Sequence, residues 1–125
     1  MGKPDDRFDE PTTVGEPVLA ASAVPRPKKP FRLEQVAGPG APKEFTLELD
    51  ETVLGRSLQA NISIESGRIS RKHATVRRAG PEFAVTDLDS ANGVFLNGIK
   101  THSAILREGD TLQIGDVVFV FHEGA

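Results

Sequence analysis

The chain has 125 residues, enough for one domain with a modest core, since 38% of its residues are hydrophobic. Its formal net charge of −3 runs against a general nucleic-acid or membrane-surface binder, which carries a basic balance. It has no Cys, so neither a disulfide framework nor a Cys-based metal site can form, and a reducing compartment suits it.

The aromatic residues are all Phe, so the core has to be built from Phe, Val, Ile and Leu. The N-terminus, Met1-Gly2-Lys3-Pro4-Asp5-Asp6, lacks the apolar centre of a secretory signal, and no long apolar run follows it. These features predict a cytoplasmic protein with no membrane contact. Residues 1–29 read as a disordered tail. Pro4, Pro11, Pro17, Pro25 and Pro27 interrupt it, and no periodicity survives among its small and charged residues. Val24 to Pro30 reads as a semi-stiff linker. Within the tail, Thr12 and Thr13 follow Asp9-Glu10-Pro11, an acid-flanked pair open to a Ser/Thr protein kinase.

From residue 30 the texture becomes that of strands. Phe31 to Ala37 alternates roughly, and Gly38-Pro39-Gly40-Ala41-Pro42 is a loop. Phe45, Leu47 and Leu49 then alternate with polar residues, which predicts a half-buried strand over 44–50. Thr52–Arg56, the Ile62/Ile64 pair, His73–Arg78, Phe83–Asp87 and Val94–Leu96 follow as short strands. Ile105-Leu106, Leu112 with Ile114, and the continuously apolar Val117–Phe121 complete the set, the last suited to a sheet's centre. Asn97-Gly98 and Gly115-Asp116 are tight-hairpin signals. Strands every eight to twelve residues or so, with no helical window between them, predict an all-β sandwich or barrel.

Three loop segments carry the chemistry. Gly55-Arg56 ends a strand with a guanidinium able to hold a phosphate or carboxylate through two parallel hydrogen bonds. Ser70-Arg71-Lys72-His73 puts a hydroxyl beside two cations, an anion site by composition with a charged edge strand as the alternative, and His73 reads as a buried structural imidazole. Ser90-Ala91-Asn92-Gly93 is a turn by composition, and Asn92 there can offer an amide to a peptide backbone.

In this order and spacing, with Asn97-Gly98 and the Leu106-Arg107-Glu108-Gly109-Asp110 to Ile114-Gly115 ending, the motifs resemble the forkhead-associated (FHA) domain over residues 31–123. The resemblance implies a β-sandwich of about eleven strands, domain limits of 30–125, and binding of phosphothreonine in peptides. It implies that Arg56 and Ser70 contact the phosphate, that Arg71 adds charge, and that Asn92 holds the ligand's main chain. Gly55, His73, Gly93 and Asn97 would support the loops. Lys72 stays solvated surface, and Arg68 is a rim residue. The sequence departs from the family at Ala91 and Val94, where Thr is frequent. A hydrogen bond to a charged group contributes about 1.5–3 kcal/mol, so the change at Ala91 weakens binding unless Arg71 compensates.

The expected function is therefore a phosphothreonine-binding signalling module. Its partners would be proteins phosphorylated by a Ser/Thr kinase, and its own phosphorylated tail could occupy the site. The alternative is a phosphate-independent β-sandwich interaction scaffold. An enzyme is not expected: His73, His102 and His122 fall at no metal-ligand spacing, and no nucleophile elbow or phosphate loop occurs, so no metal or cofactor is expected either.

Overall fold

The computed structural model describes residues 30–124. The tail expected over 1–29, with Thr12 and Thr13, lies outside the described residues. Eleven strands form two sheets, with no helix among the described residues. They are β1 (Arg32–Ala37), β2 (Lys43–Thr46), β3 (Glu51–Gly55), β4 (Ile62–Ser63), β5 (Ala74–Ala79), β6 (Glu82–Asp87), β7 (Val94–Leu96), β8 (Ile99–Thr101), β9 (Ser103–Leu106), β10 (Thr111–Ile114) and β11 (Val117–His122). One sheet has the order β2-β1-β11-β10-β7-β8 and the other β4-β3-β5-β6-β9. All pairings are antiparallel except the short β3–β4 ladder.

Period-two patterning explains the two-layer packing. In β11, Val117, Phe119 and Phe121 are buried while Val118, Val120 and His122 are only half-buried. They meet Leu54, Val76, Phe83 and Val85 of the opposite sheet in one core. Phe83 joins the layers through its ring, 5.1 Å from Phe31 and 6.3 Å from Phe121 between centroids. The continuous apolar run of β11 follows from its place between β1 and β10, inside its sheet.

Three expectations need adjustment. The strand predicted over 44–50 ends at Thr46, and Leu49 is 51% exposed. Leu47 is still buried, its amide bonded to Phe31 O after the ladder has ended. The other two adjustments come together at β8, which has no strand pattern of its own and exposes Ile99. It forms because Asn97 and Gly98 both take positive φ, 51° and 83°, and fold it onto β7 in a two-residue hairpin. Asn97 then ties this hairpin to β10. Its Nδ2 donates to Asp110 Oδ1, its Oδ1 accepts the Thr111 amide at 2.9 Å, and its own amide donates to Thr111 O. It therefore braces the hairpin's turn, with the length of β7 between it and Gly93.

At the end of β11, His122 donates from both ring nitrogens, to Glu34 and to Glu108, each at 2.9 Å. The Glu34 bond first, and then that to Glu108, hold the imidazole above its ordinary value of 6.5. The same His122 contact, helped by the Glu123 amide, lowers Glu108 below its ordinary 4.5. The stability from His122 is complete below 6.5 and disappears as pH rises through the raised folded value. That from Glu108 is present above 4.5 and is lost as pH falls through its lowered value.

Two outcomes test this packing. Phe83→Ala should destabilise the fold by about 3–5 kcal/mol in urea unfolding, the cost of deleting a fully buried ring. His122→Gln should flatten the fall in urea midpoint that the wild type shows as pH rises above 6.5, because the variant has no imidazolium at position 122 to lose.

Candidate phosphopeptide site

Four of the connections at one end of the sandwich build the candidate site: residues 56–61, 64–73, 88–93 and the β10–β11 turn at Gly115-Asp116. Their junction begins at Gly55. A Cβ there would lie 1.9 Å from Arg71 O, so only glycine lets the end of β3 run against the 70–72 backbone. The approach is closed by backbone bonds from Arg56 N to Ser70 O, 3.0 Å, and from Ser57 N to Arg71 O, 3.2 Å.

The 64–73 connection is held on its far side too. Ile62, Ile64 and Ile69 are buried in the core. Ser66 Oγ donates to Asp116 Oδ1 at 2.5 Å and accepts the Arg68 amide at 3.2 Å. Gly115, at φ 57°, sits so close to Arg68 that a Cβ would lie 2.7 Å from its carbonyl oxygen. The hairpin signal at Gly115-Asp116 thus also positions the binding loop, which no local pattern in the sequence reveals.

His73 is fully buried and joins two loops. Its Nδ1 accepts the Ser70 amide at 3.0 Å, so the proton is on Nε2, which donates to Gly93 O at 2.8 Å. In the 88–93 loop, Asp87 Oδ1 accepts the Ser90 amide and Ser90 Oγ accepts the Gly93 amide, a pair of side-chain turns that ends with Gly93 at φ 81°.

The exposed groups follow from this frame. Arg56 is exposed, and its Nε donates to Ile69 O at 3.1 Å, which leaves its terminal nitrogens without a partner among the described residues. Ser70 Oγ accepts the Ala91 amide at 3.0 Å, so the hydroxyl proton remains available to an anion. Asn92 Nδ2 donates to Arg68 O at 2.6 Å, leaving Oδ1 as its acceptor. Arg56, Gly67, Arg68, Ile69, Ser70, Ala91 and Asn92 line one shallow depression of about 130 Å³. Arg71 and Lys72 are exposed beside it. Arg56, Ser70 and Asn92 therefore converge, with Arg68 among them, while Gly55, His73 and Gly93 form the frame beneath. Val94 is 1% exposed and belongs to the core, so the departure from Thr there concerns packing, whereas Ala91 faces solvent at the depression.

The fold and this loop cluster define an FHA domain, and the chain belongs to that family: the FHA domain model matches residues 52–115. The oxoglutarate dehydrogenase inhibitor of Corynebacterium jeikeium is 36% identical over 88 residues, covering 70% of this chain and 61% of that protein. The glycogen accumulation regulator GarA of Mycolicibacterium smegmatis is 33% identical over 119 residues, 95% of this chain and 75% of the relative. Among solved structures, Mycobacterium tuberculosis EmbR in complex with a low-affinity phosphopeptide superposes with a TM-score of 0.72 at 26% identity, covering 78% of this chain and 25% of EmbR. The FHA domain of the CT664 protein from Chlamydia trachomatis gives 0.71 at 28% identity, covering 76% of this chain and 98% of that one.

Gly55→Ala should lower stability by about 1–3 kcal/mol, the cost of inserting a methyl into a filled space. Amide hydrogen exchange at Arg56 and Ser57 should accelerate beyond the global change, because their acceptors lie on the displaced segment.

Proposed function

We propose that this chain is a phosphothreonine-peptide-binding signalling module whose site is the depression between Arg56, Ser70 and Asn92. The observation that carries the reading is the set of donors left over at the depression. The Arg56 guanidinium is anchored through Nε alone, and the Ser70 hydroxyl is anchored only as an acceptor, so both keep donors with no partner among the described residues. A phosphothreonine brings about −1.5 to −2 charges and three acceptor oxygens, which such donors match. Arg71 adds charge at the rim, and Asn92 Oδ1 accepts from the ligand's main chain. The EmbR structure, solved with a phosphopeptide bound, supports the reading by its likeness in fold.

The division of the chain belongs to the same proposal: residues 30–125 form the reader and residues 1–29 a tail carrying Thr12 and Thr13. A Ser/Thr protein kinase phosphorylates partners, and it also phosphorylates the tail, which then occupies the site. Seventeen residues lie between Thr13 and Phe31, and a flexible chain of that length spans on the order of 20–25 Å, enough to reach across a small domain. Tethering raises the effective concentration towards millimolar, so a weak internal ligand suffices. The module works by occupancy and needs neither cofactor nor catalytic step. A cytoplasmic setting fits, and no helix among the described residues is long and apolar enough to cross a membrane. The names of two relatives, an oxoglutarate dehydrogenase inhibitor and a glycogen accumulation regulator, support a regulatory role in metabolism for the complex with its partner.

Calorimetry of the full, unphosphorylated chain should detect binding of a phosphothreonine peptide of sequence 8–18 and none of its threonine counterpart. Arg56→Ala should weaken the binding at least tenfold, as expected for a charge-assisted bond contributing about 1.5–3 kcal/mol. After kinase treatment, the wild-type chain should lose affinity for the added phosphopeptide, whereas the Thr12→Ala/Thr13→Ala chain should keep it. A partner that binds equally well to Arg56→Ala would instead favour the phosphate-independent scaffold.

A further inference from the structure

Among the described residues, Arg32, Arg78 and Arg107, away from the loops, each pair with a carboxylate, Glu44, Asp50 and Glu82 in turn, while Lys43 lies over the Phe45 ring and Arg77 is an exposed cation on β5. The cations around the loop end, Arg56, Arg68, Arg71, Lys72 and Lys100, have no ion pair with a carboxylate among the described residues. Arg56 and Ser70 already supply donors for a single phosphate, which leaves Arg68, Lys72 and Lys100 without an assigned partner beside the carboxylates Glu65, Asp89 and Asp116 of the same connections.

Lys100 is the member of this group that neither the sequence motifs nor the depression includes. It stands on β8 opposite Phe95, an edge-strand position where a lysine ordinarily serves to discourage strand pairing. Its side chain does not run straight out to solvent. It folds back over Gly93, so that a Cβ on Gly93 would lie 2.9 Å from Lys100 Cε and 3.7 Å from Nζ. Gly93 leaves room for the aliphatic stem and takes the positive φ that its turn needs. Its carbonyl is held by His73, so the ammonium rests against a fixed piece of the binding-loop frame.

The span from the phosphate position is short. Ala91, whose amide bonds Ser70 Oγ, is two residues from Gly93. Standard backbone dimensions then put Lys100 Nζ no more than about 17 Å from Ser70 Oγ. An extended peptide advances about 3.3 Å per residue, so this distance is covered within about five residues of the phosphothreonine.

Resting on the phosphothreonine reading of the site, we propose that Lys100 is a specificity-determining residue. It selects ligands with an Asp or Glu within five residues of the phosphothreonine, on the side of the peptide that passes Asn92 and Gly93. The ligand class is thus an acidic phosphothreonine peptide rather than any phosphothreonine. The chain's own threonine pair has this chemistry, with Asp9 and Glu10 two to four residues before Thr12 and Thr13. Because the contact lies at the solvent-exposed rim, it tunes preference and does not carry the bulk of the affinity.

The test is calorimetry of the full chain against a phosphothreonine peptide with neutral flanks and a series in which one Asp replaces Ala at each position from five before to five after the phosphothreonine. For the wild type, Asp at one or two adjacent positions should tighten binding about two- to five-fold. Lys100→Gln should bring that ratio to about one and leave affinity for the neutral peptide unchanged, while Lys100→Arg should keep the preference. Arg77→Gln, which removes an exposed cation from β5, controls for net charge and should leave the ratio as in the wild type. The assignment is overturned if the wild type shows no positional preference, if Lys100→Gln keeps it, or if Arg77→Gln abolishes it equally. Failure of the wild type to bind the neutral phosphopeptide or any of the series would overturn the phosphothreonine reading itself, a result distinct from the loss of flank preference alone.

Discussion

The buried imidazole of His73 links the sandwich to its binding loops. Both its ring nitrogens are committed, one to the Ser70 amide and the other to the Gly93 carbonyl, so a single planar group fixes the relative position of two loops from different parts of the chain. With no water to replace them, these bonds are costly to break. The hydroxyl of Ser70 and the amide of Asn92 therefore project from a frame already in place, and a ligand need not spend its own interaction energy on ordering those loops.

The frame in turn depends on close backbone approach. Gly55 lets the end of β3 touch the 70–72 segment, and Gly115 lets the β10–β11 turn press on Arg68 from the other direction. Between them the 64–73 connection has little freedom, and its buried isoleucines hold it to the core shared by both sheets. Loop residues thus gain the rigidity of the strands. The arrangement suits a receptor that discriminates by charge and donor direction, since a depression of about 130 Å³ offers little enclosed volume for recognition by shape.

Charge follows the same division. Ion pairs stitch residues that lie away from the loop end, where exposed pairs add little but cost little. At the loop end the cations remain for a ligand, and short-range charge-assisted bonds there outweigh a net charge of −3 spread over the surface and screened beyond about 8 Å. A slightly acidic protein can therefore present an anion receptor.

Local chemistry alone determined the all-β class, most strand positions, both hairpins and the three loop motifs. Each depends on residues adjacent in sequence: alternation in β3, β6 and β10, positive φ at Asn97-Gly98, and the sharp turns around Ser90 and Gly93. For His73, the place near a strand start read as a buried structural imidazole, and its part as a loop support came only from the resemblance to the FHA family. Tertiary structure decided what depends on contacts between distant segments. Leu49 matched a strand period but lost its place because β2 ends at Thr46. Ile99–Thr101 became a strand only because β7 was there to pair with it. Asn97 ties the β7–β8 turn to β10 because its side-chain amide finds Asp110 and Thr111 across the sheet. The Ser66–Asp116 bond and the position of Lys100 over Gly93 join residues with no shared local pattern, and only closure of the sandwich brings them together.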